Sequence, residues 1–209
     1  MRKFNICLIL LLTLVFSNSG YTQDWTHYVR TSGHGVEMNQ VHAVMDDARQ
    51  THLFGIEVDN DITGRYNSFL VTELKLRALK AMADSAHAAG NFAFVYTAGL
   101  ECITDSVLPE SRSFFRDHPN WLQRNIKGDP AVFGSGAAFW ISKNSEDVWI
   151  SPFAPEWRKL YMERIRQITA TGIDGVYIDI PYWMTHFEDW EDTWASFDSY
   201  TVAEFKKRT

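Results

Sequence analysis

"DGVYIDIPYW", Asp174 to Trp183, decides how this chain is read. Most of Val176 to Ile180 are strand formers, yet a carboxylate, Asp179, stands among them, and Pro, Tyr and Trp follow. Ionised Asp is a poor strand residue, and burying it without a partner is costly. Two readings account for it. Asp179 caps a turn or pairs with an arginine, or it marks the end of a strand where a fold presents chemistry.

Upstream, strand-like and helix-like segments alternate. Thr26–Ser32 reads as a first strand, and a helix is expected from about Asn39. Leu53–Asp59 reads as a second strand. "VTELKLRALKAMADSAHAAG" is the clearest helix: Thr72 can cap it, Leu74, Ala78, Met82 and Ala86 follow at i+4 spacing, and Gly90 ends it. Phe92–Thr97 is the third strand. A long excursion from Ala98 to about Ser151 carries a short helix within Glu110–Asp117. Pro155 opens a helix with a buried stripe of Trp157, Leu160, Tyr161, Ile165 and Ile168; Gly172 closes it before the fourth strand, Gly175–Ile180. A last helix is expected at about Tyr200–Lys207, capped by Asp198 or Ser199.

Strand–helix repeats with short returns predict an α/β fold with a parallel sheet and right-handed crossovers. Four βα units amount to half of a (β/α)8 barrel, which needs about 250 residues as a rule. The expectation is therefore a partial TIM barrel over residues 23–209, a fragment or half of a longer barrel, with an open α/β sheet as the alternative. Residues 1–22 read as a signal peptide. Arg2 and Lys3 precede the apolar run Ile6–Phe16, and small and polar residues follow it. That run is short for a span, which takes about 20 apolar residues. The expected location is secreted or periplasmic, with no membrane span after the signal is removed.

Removing the signal takes Cys7 with it and leaves Cys102 alone, so no internal disulfide is expected and stability falls to the core. The net charge of −6 and the lack of a basic run argue against nucleic acid. Eight Trp and eight Tyr suit a chain that offers flat rings to sugars, although most serve a core. The seven histidines show no H-x-H or H-E-x-x-H spacing, so no metal and no cofactor is expected. "FGSGAAF" is neither a phosphate loop nor a nucleophile elbow.

In a barrel the working face is the carboxyl end of the strands. Side chains alternate along a strand, so Glu57 shares a face with Asp59, and Tyr177 with Asp179. Asp59 and Asp179 are then expected at one rim, on alternate strands, as catalytic candidates. Glu57, Tyr66, Tyr96, Glu101, Trp140, Tyr182, Trp183 and His186 are the candidates for substrate binding. Each has a plainer alternative. Glu57 braces an inward Arg or Tyr, Asp61 caps the loop "NDITGRYN", from which Arg65 and Tyr66 are expected to reach the mouth, and Glu101 is a solvated acid. Trp140 and Trp183 cover the barrel end, and His34 and His186 are surface residues.

"TGIDGVYIDIPYW" resembles the fourth-strand segment of (β/α)8 glycoside hydrolases, whose pattern G-[FIY]-D-G-[VI]-[YF]-[LIV]-D ends in a functional aspartate. The endo-α-1,4-polygalactosaminidase, α-galactosidase and α-amylase-like barrels are the groups it resembles. "AHAAGNFAFVY" is similar to the step into their third strand, and "HPNWLQRNIKGDP" to a loop in which a helix leads to a Trp and a basic hairpin. The resemblance implies a glycosidase acting on a poly- or oligosaccharide, with Asp179 as nucleophile or base. Two carboxyl groups then flank the scissile bond, about 5 Å apart if one is the nucleophile and roughly 6.5–9.5 Å if it activates water. In the resembling barrels the acid comes from a later strand. Here it lies beyond Thr209, or Glu101, Glu188 or Asp189 takes its place. The rival readings are a non-catalytic carbohydrate-binding barrel, a secreted scaffold with an aromatic docking patch, and a metal-dependent hydrolase built on Asp59, Asp179 and His186.

Overall fold

The computed structural model describes residues 37–51, 55–59, 61–134, 141–184 and 195–209. The expected signal peptide, the strand at Thr26–Ser32 and His34 lie outside them. In chain order the elements are α1 (Val41–Thr51), β1 (Gly55–Asp59), the short α2 (Asp61–Gly64) and α3 (Tyr66–Leu70), and α4 (Glu73–Ala88). There follow β2 (Phe92–Ala98), β3 (Glu101–Thr104), α5 (Phe114–Asp117), β4 (Val132–Gly134) and β5 (Glu146–Trp149). The chain continues through α6 (Pro155–Thr169), β6 (Gly175–Asp179) and α7 (Ser199–Arg208).

The second, third and fourth expected strands lie side by side as a parallel sheet in the order β1-β2-β6. Asp59 stands level with Tyr96, Tyr96 with Tyr177, and Ala98 with Asp179. Sequential parallel strands joined by helices are the repeating unit of a barrel. Among the described residues this sheet does not close. β6 is its edge, and Tyr177 and Ile178 on β6 are both exposed.

α1, α4 and the C-terminal half of α6 cover one face of the sheet. Val41, Met45, Leu79, Met82 and Ile168 pack there on Val58, Ala93 and Val95. The stripe of α4 corrects the expectation at its start. Ala78, Leu79, Met82, Ala83 and Ala86 are buried, whereas Leu74 is 61 % exposed. Leu74 sits in the first turn, outside the apolar cluster that the rest of the stripe joins. Thr72 occupies the cap position in helical geometry and makes no side-chain cap bond. Gly90 follows the helix at φ +77°, a conformation that favours glycine.

The excursion from Ala98 is more ordered than its sequence suggests. β3, β5 and β4 form a second, antiparallel sheet in the order β3-β5-β4. Its strands are three or four residues long, and β3 lies some forty positions from its partner β5, so no local alternation announced it. Nor is "NDITGRYN" a plain loop, since it contributes α2 and the start of α3. One face of the small sheet, through Cys102 and Val148, meets Tyr66, Phe69, Phe114, Leu122 and Trp157. The other, through Phe133 and Trp149, meets Ala131, Ile141 and Met184. α6 therefore ties both layers together, with Trp157 in the second cluster and Ile168 in the first. No helix among the described residues is long and apolar enough to cross a membrane.

Gly99 joins the two sheets. Its N–H donates to the Asp179 carbonyl at 2.7 Å, and the Leu100 N–H to the Ile180 carbonyl at 3.0 Å. A Cβ at Gly99 would stand 2.8 Å from Asp179 O and 2.9 Å from Ile180 O, with backbone that cannot swing aside. Gly99→Ala is expected to destabilise the protein by about 1–3 kcal/mol, the usual cost of overpacking. Urea unfolding checks this, and an unchanged midpoint contradicts it.

Candidate active site

The motif that opened the sequence carries two aspartates with opposite duties. Asp174 lies at the amino end of β6 and fastens it to β2. Its Oδ2 accepts the Ala93 N–H at 2.8 Å and lies 2.8 Å from His87 Nε2, while its own N–H donates to the Ala93 carbonyl at 2.8 Å. Partial burial opposes ionisation, but the Ala93 N–H and His87 hold its carboxyl below the usual range. Asp174 is structural.

Asp179 lies at the carboxyl end of β6. Tyr96 donates its hydroxyl to Asp179 Oδ2 at 2.5 Å, and the Ile180 N–H donates to Oδ1 at 2.9 Å. Both oxygens are thus oriented from within the protein. The next residue carries strain, because Ile180, β-branched, adopts φ +52°. Such a conformation is uncommon for a branched residue and concentrates at functional sites. It also explains why the strand breaks at Pro181: the turn at Ile180 aims its carbonyl at the Leu100 N–H.

Around Asp179 lies a ledge of aromatic rings. Tyr96 stacks on Tyr177 with centroids 5.7 Å apart and planes at 25°. Beyond them Tyr182 and Trp183 are 56 % and 43 % exposed, Tyr182 leaning on Trp149 and Trp183 on Phe153. Gln123, fully buried, holds this loop in place: its Oε1 accepts the Met184 N–H at 2.9 Å, and its Nε2 donates to the Ile150 carbonyl at 3.1 Å.

Glu101 is an acid within electrostatic reach of Asp179. The expectation of a solvated loop acid fails, since Glu101 opens β3 and is 8 % exposed. Burial, then the charges of Asp147 and Asp179 and a hydrogen bond with Asp147, push its carboxyl up to about 9 against the pull of Arg65. These influences favour its protonated form. Arg65 itself is paired with Asp105 at 2.9 Å.

Of the expected site residues, the structure brings Asp179, Tyr96, Glu101, Tyr182 and Trp183 to one end of the sheet. Tyr66 is a correction. Its ring is wholly buried against Phe114, and its hydroxyl donates to Asp117 Oδ2 at 2.6 Å, so no part of it reaches a mouth. Burial and Asp117 raise its hydroxyl far above the ordinary tyrosine range. Glu57 and Asp59 have backbone positions in β1, but their side chains lie outside the description, as do Trp140, His186, Glu188 and Asp189 altogether. Two participants were missed, Asp147 on β5 and Gln123. "EDVWI" (Glu146–Ile150) runs from two acids into three apolar residues without alternating, so it gave no sign of the first.

Tyr96→Phe tests the grip on Asp179. A hydrogen bond to a charged group contributes about 1.5–3 kcal/mol. Loss of this one is expected to lower any turnover at Asp179 on the order of 10-fold or more with little change in fold, read as kcat alongside circular dichroism.

No family model matches this sequence, and no curated protein matches it. Solved structures do. The chain is similar to an α-galactosidase from Thermus thermophilus in complex with p-nitrophenyl α-D-galactopyranoside, with a TM-score of 0.51 and 15 % identity over 73 % of this chain and 32 % of that one. The same enzyme in complex with stachyose aligns at 0.51 and 15 %, over 74 % of this chain and 32 % of that one. A maltogenic α-amylase from Thermotoga neapolitana aligns at 0.50 and 14 % identity, over 76 % of this chain and 40 % of that one. The chain thus spans about a third of the length of the first two solved structures it matches. At these identities the likeness is one of fold: an α/β segment of the TIM barrel on which these glycoside hydrolases are built.

Proposed function

We propose that this protein is a secreted or periplasmic glycoside hydrolase that cleaves an O-glycosidic bond in an oligo- or polysaccharide. Asp179 meets the anomeric carbon, directly or through a water it activates. The observation that carries this reading is the placement of Asp179 at the carboxyl end of a parallel strand, both oxygens oriented by Tyr96 and Ile180, beside a buried acid. The exposed rings of Tyr177, Tyr182 and Trp183 suit the apolar faces of a sugar. An anomeric centre gains positive character as its bond breaks, and an ionised, fixed carboxylate stabilises that charge without reorganisation. Asp59 and Glu57, on β1, are proposed to bind sugar hydroxyls. The location rests on the leader-like pattern of residues 1–22.

The test is hydrolysis of a panel of α- and β-linked oligosaccharides by the purified chain and by Asp179→Asn. Release of reducing ends that falls on the order of 10³-fold or more in the variant supports the reading. Binding without hydrolysis in the wild type moves the protein to the alternative, a non-catalytic carbohydrate-binding barrel.

A further inference from the structure

The antiparallel sheet sets two acids beside each other in a place where neither is solvated. Glu101 stands opposite Trp149, and Ile103 opposite Asp147. Glu101 and Asp147 are therefore diagonal neighbours on one face of the β3–β5 pair, close enough for their side chains to interact. Both are buried, and on that face Trp149 stands opposite Glu101 and Phe133 opposite Asp147. As an ionised carboxylate, Glu101 would leave Oε2 buried with no hydrogen-bond donor among the described residues. Two carboxylates accept only; with one proton between them, one acid donates to the other and that need is met.

We propose, resting on the glycosidase reading above, that Glu101 is the general acid of the site and that Asp147 is the positioning residue that keeps its proton in place. Glu101 follows Gly99 and Leu100, whose N–H groups bond to the carbonyls of Asp179 and Ile180, so its backbone is tied to the end of β6. The groups that face it are Asp147 from β5, Asp179 from β6 and Arg65 from the turn before α3, itself paired with Asp105. Burial and the two aspartates raise its carboxyl to about 9, and Arg65 opposes them less strongly. A carboxyl raised in this way by burial is suited to serve as a general acid.

The Glu101 proton passes to the glycosidic oxygen, and the bond from that oxygen to C1 breaks, its electron pair leaving with the oxygen. C1 is met by an Asp179 oxygen, or by a water whose proton passes to Asp179. In the first case a second water displaces Asp179 from C1 and returns a proton to Glu101. In the second, solvent restores both acids.

The experiment compares the full wild-type chain with Glu101→Gln, Asp147→Asn and Asp179→Asn. The substrates are dinitrophenyl glycosides, whose leaving group needs no proton, and methyl glycosides and oligosaccharides of the same sugar, whose leaving group does. Gln keeps the shape and neutrality of a protonated Glu, so Glu101→Gln is expected to fold. It should lose on the order of 10²–10⁴-fold on the unactivated substrates and much less on the dinitrophenyl glycosides. The alkaline limb of the wild-type pH–rate profile, expected near the pKa of about 9, should vanish in Glu101→Gln and move to lower pH in Asp147→Asn. An Asp147 of merely structural importance would not move that limb. Activity that Asp179→Asn abolishes but Glu101→Gln leaves intact, or loses equally on both substrate types, overturns the acid assignment alone. A wild-type chain that hydrolyses nothing overturns the glycosidase reading and this inference with it.

Discussion

Raising the pH from about 5 to about 9 lowers the unfolding free energy of the wild-type protein by several kcal/mol, and Glu101→Gln removes most of that slope. The folded-state pKa of Glu101, about 9, stands well above the 4.5 of a free glutamate. Between those values the unfolded chain has released the proton and the folded chain still holds it. Stability therefore falls with rising pH across that window, because the folded state binds more protons than the unfolded. Each tenfold difference in proton affinity is worth about 1.4 kcal/mol, which sets the scale. Below the unfolded pKa the contribution is fully present; above about 9 it has been lost and the curve levels. Urea midpoints measured at intervals of pH for both chains check this. Parallel curves for wild type and variant would show that Glu101 ionises freely.

Trp157→Ala costs the fold about 3–5 kcal/mol. Trp157 is 1 % exposed and stacks on Phe69 with centroids 5.3 Å apart and planes at 25°. Phe114 meets its ring at an angle, 5.9 Å away, and Tyr161 lies 5.2 Å away from the next turn of α6. No neighbour can refill that volume, because Phe69, Phe114 and Tyr66 are fixed by one another and by Asp117. The loss also reaches the site. α6 spans both apolar clusters, and Tyr161 donates to the carbonyl of Ala98, the residue level with Asp179. The expected result is a lower urea midpoint with weakened turnover; a midpoint equal to that of wild type contradicts it.

The three parallel strands and the long helices were legible because each carries its own local pattern. The period of α4 and α6, Pro155 at the start of one and Gly90 after the other, and the Asp198 side chain accepting from Tyr200 and Thr201 N–H on α7 all follow from near neighbours. Asp179 was legible for the same reason, since a carboxylate at a strand's end breaks a simple pattern. The second sheet was not. Its partners lie far apart in the chain, and strands this short alternate too briefly to be seen. Glu101 was misjudged as solvated because its burial, opposite Trp149 on β5, depends on that sheet. Tyr66 illustrates the opposite error. A tyrosine on a presumed loop suggested a ligand, but α3 turns it inward to Asp117. Asp147 could be recognised only once β5 was paired with β3.

The decisive measurement is the structure of Asp179→Asn crystallised with the oligosaccharide that the wild-type chain cleaves. The expected result is an intact sugar whose anomeric carbon lies beside residue 179, one ring against Tyr177 or Trp183 and its glycosidic oxygen facing Glu101. A sugar bound elsewhere, with the carboxyl end of β6 unoccupied, would contradict it.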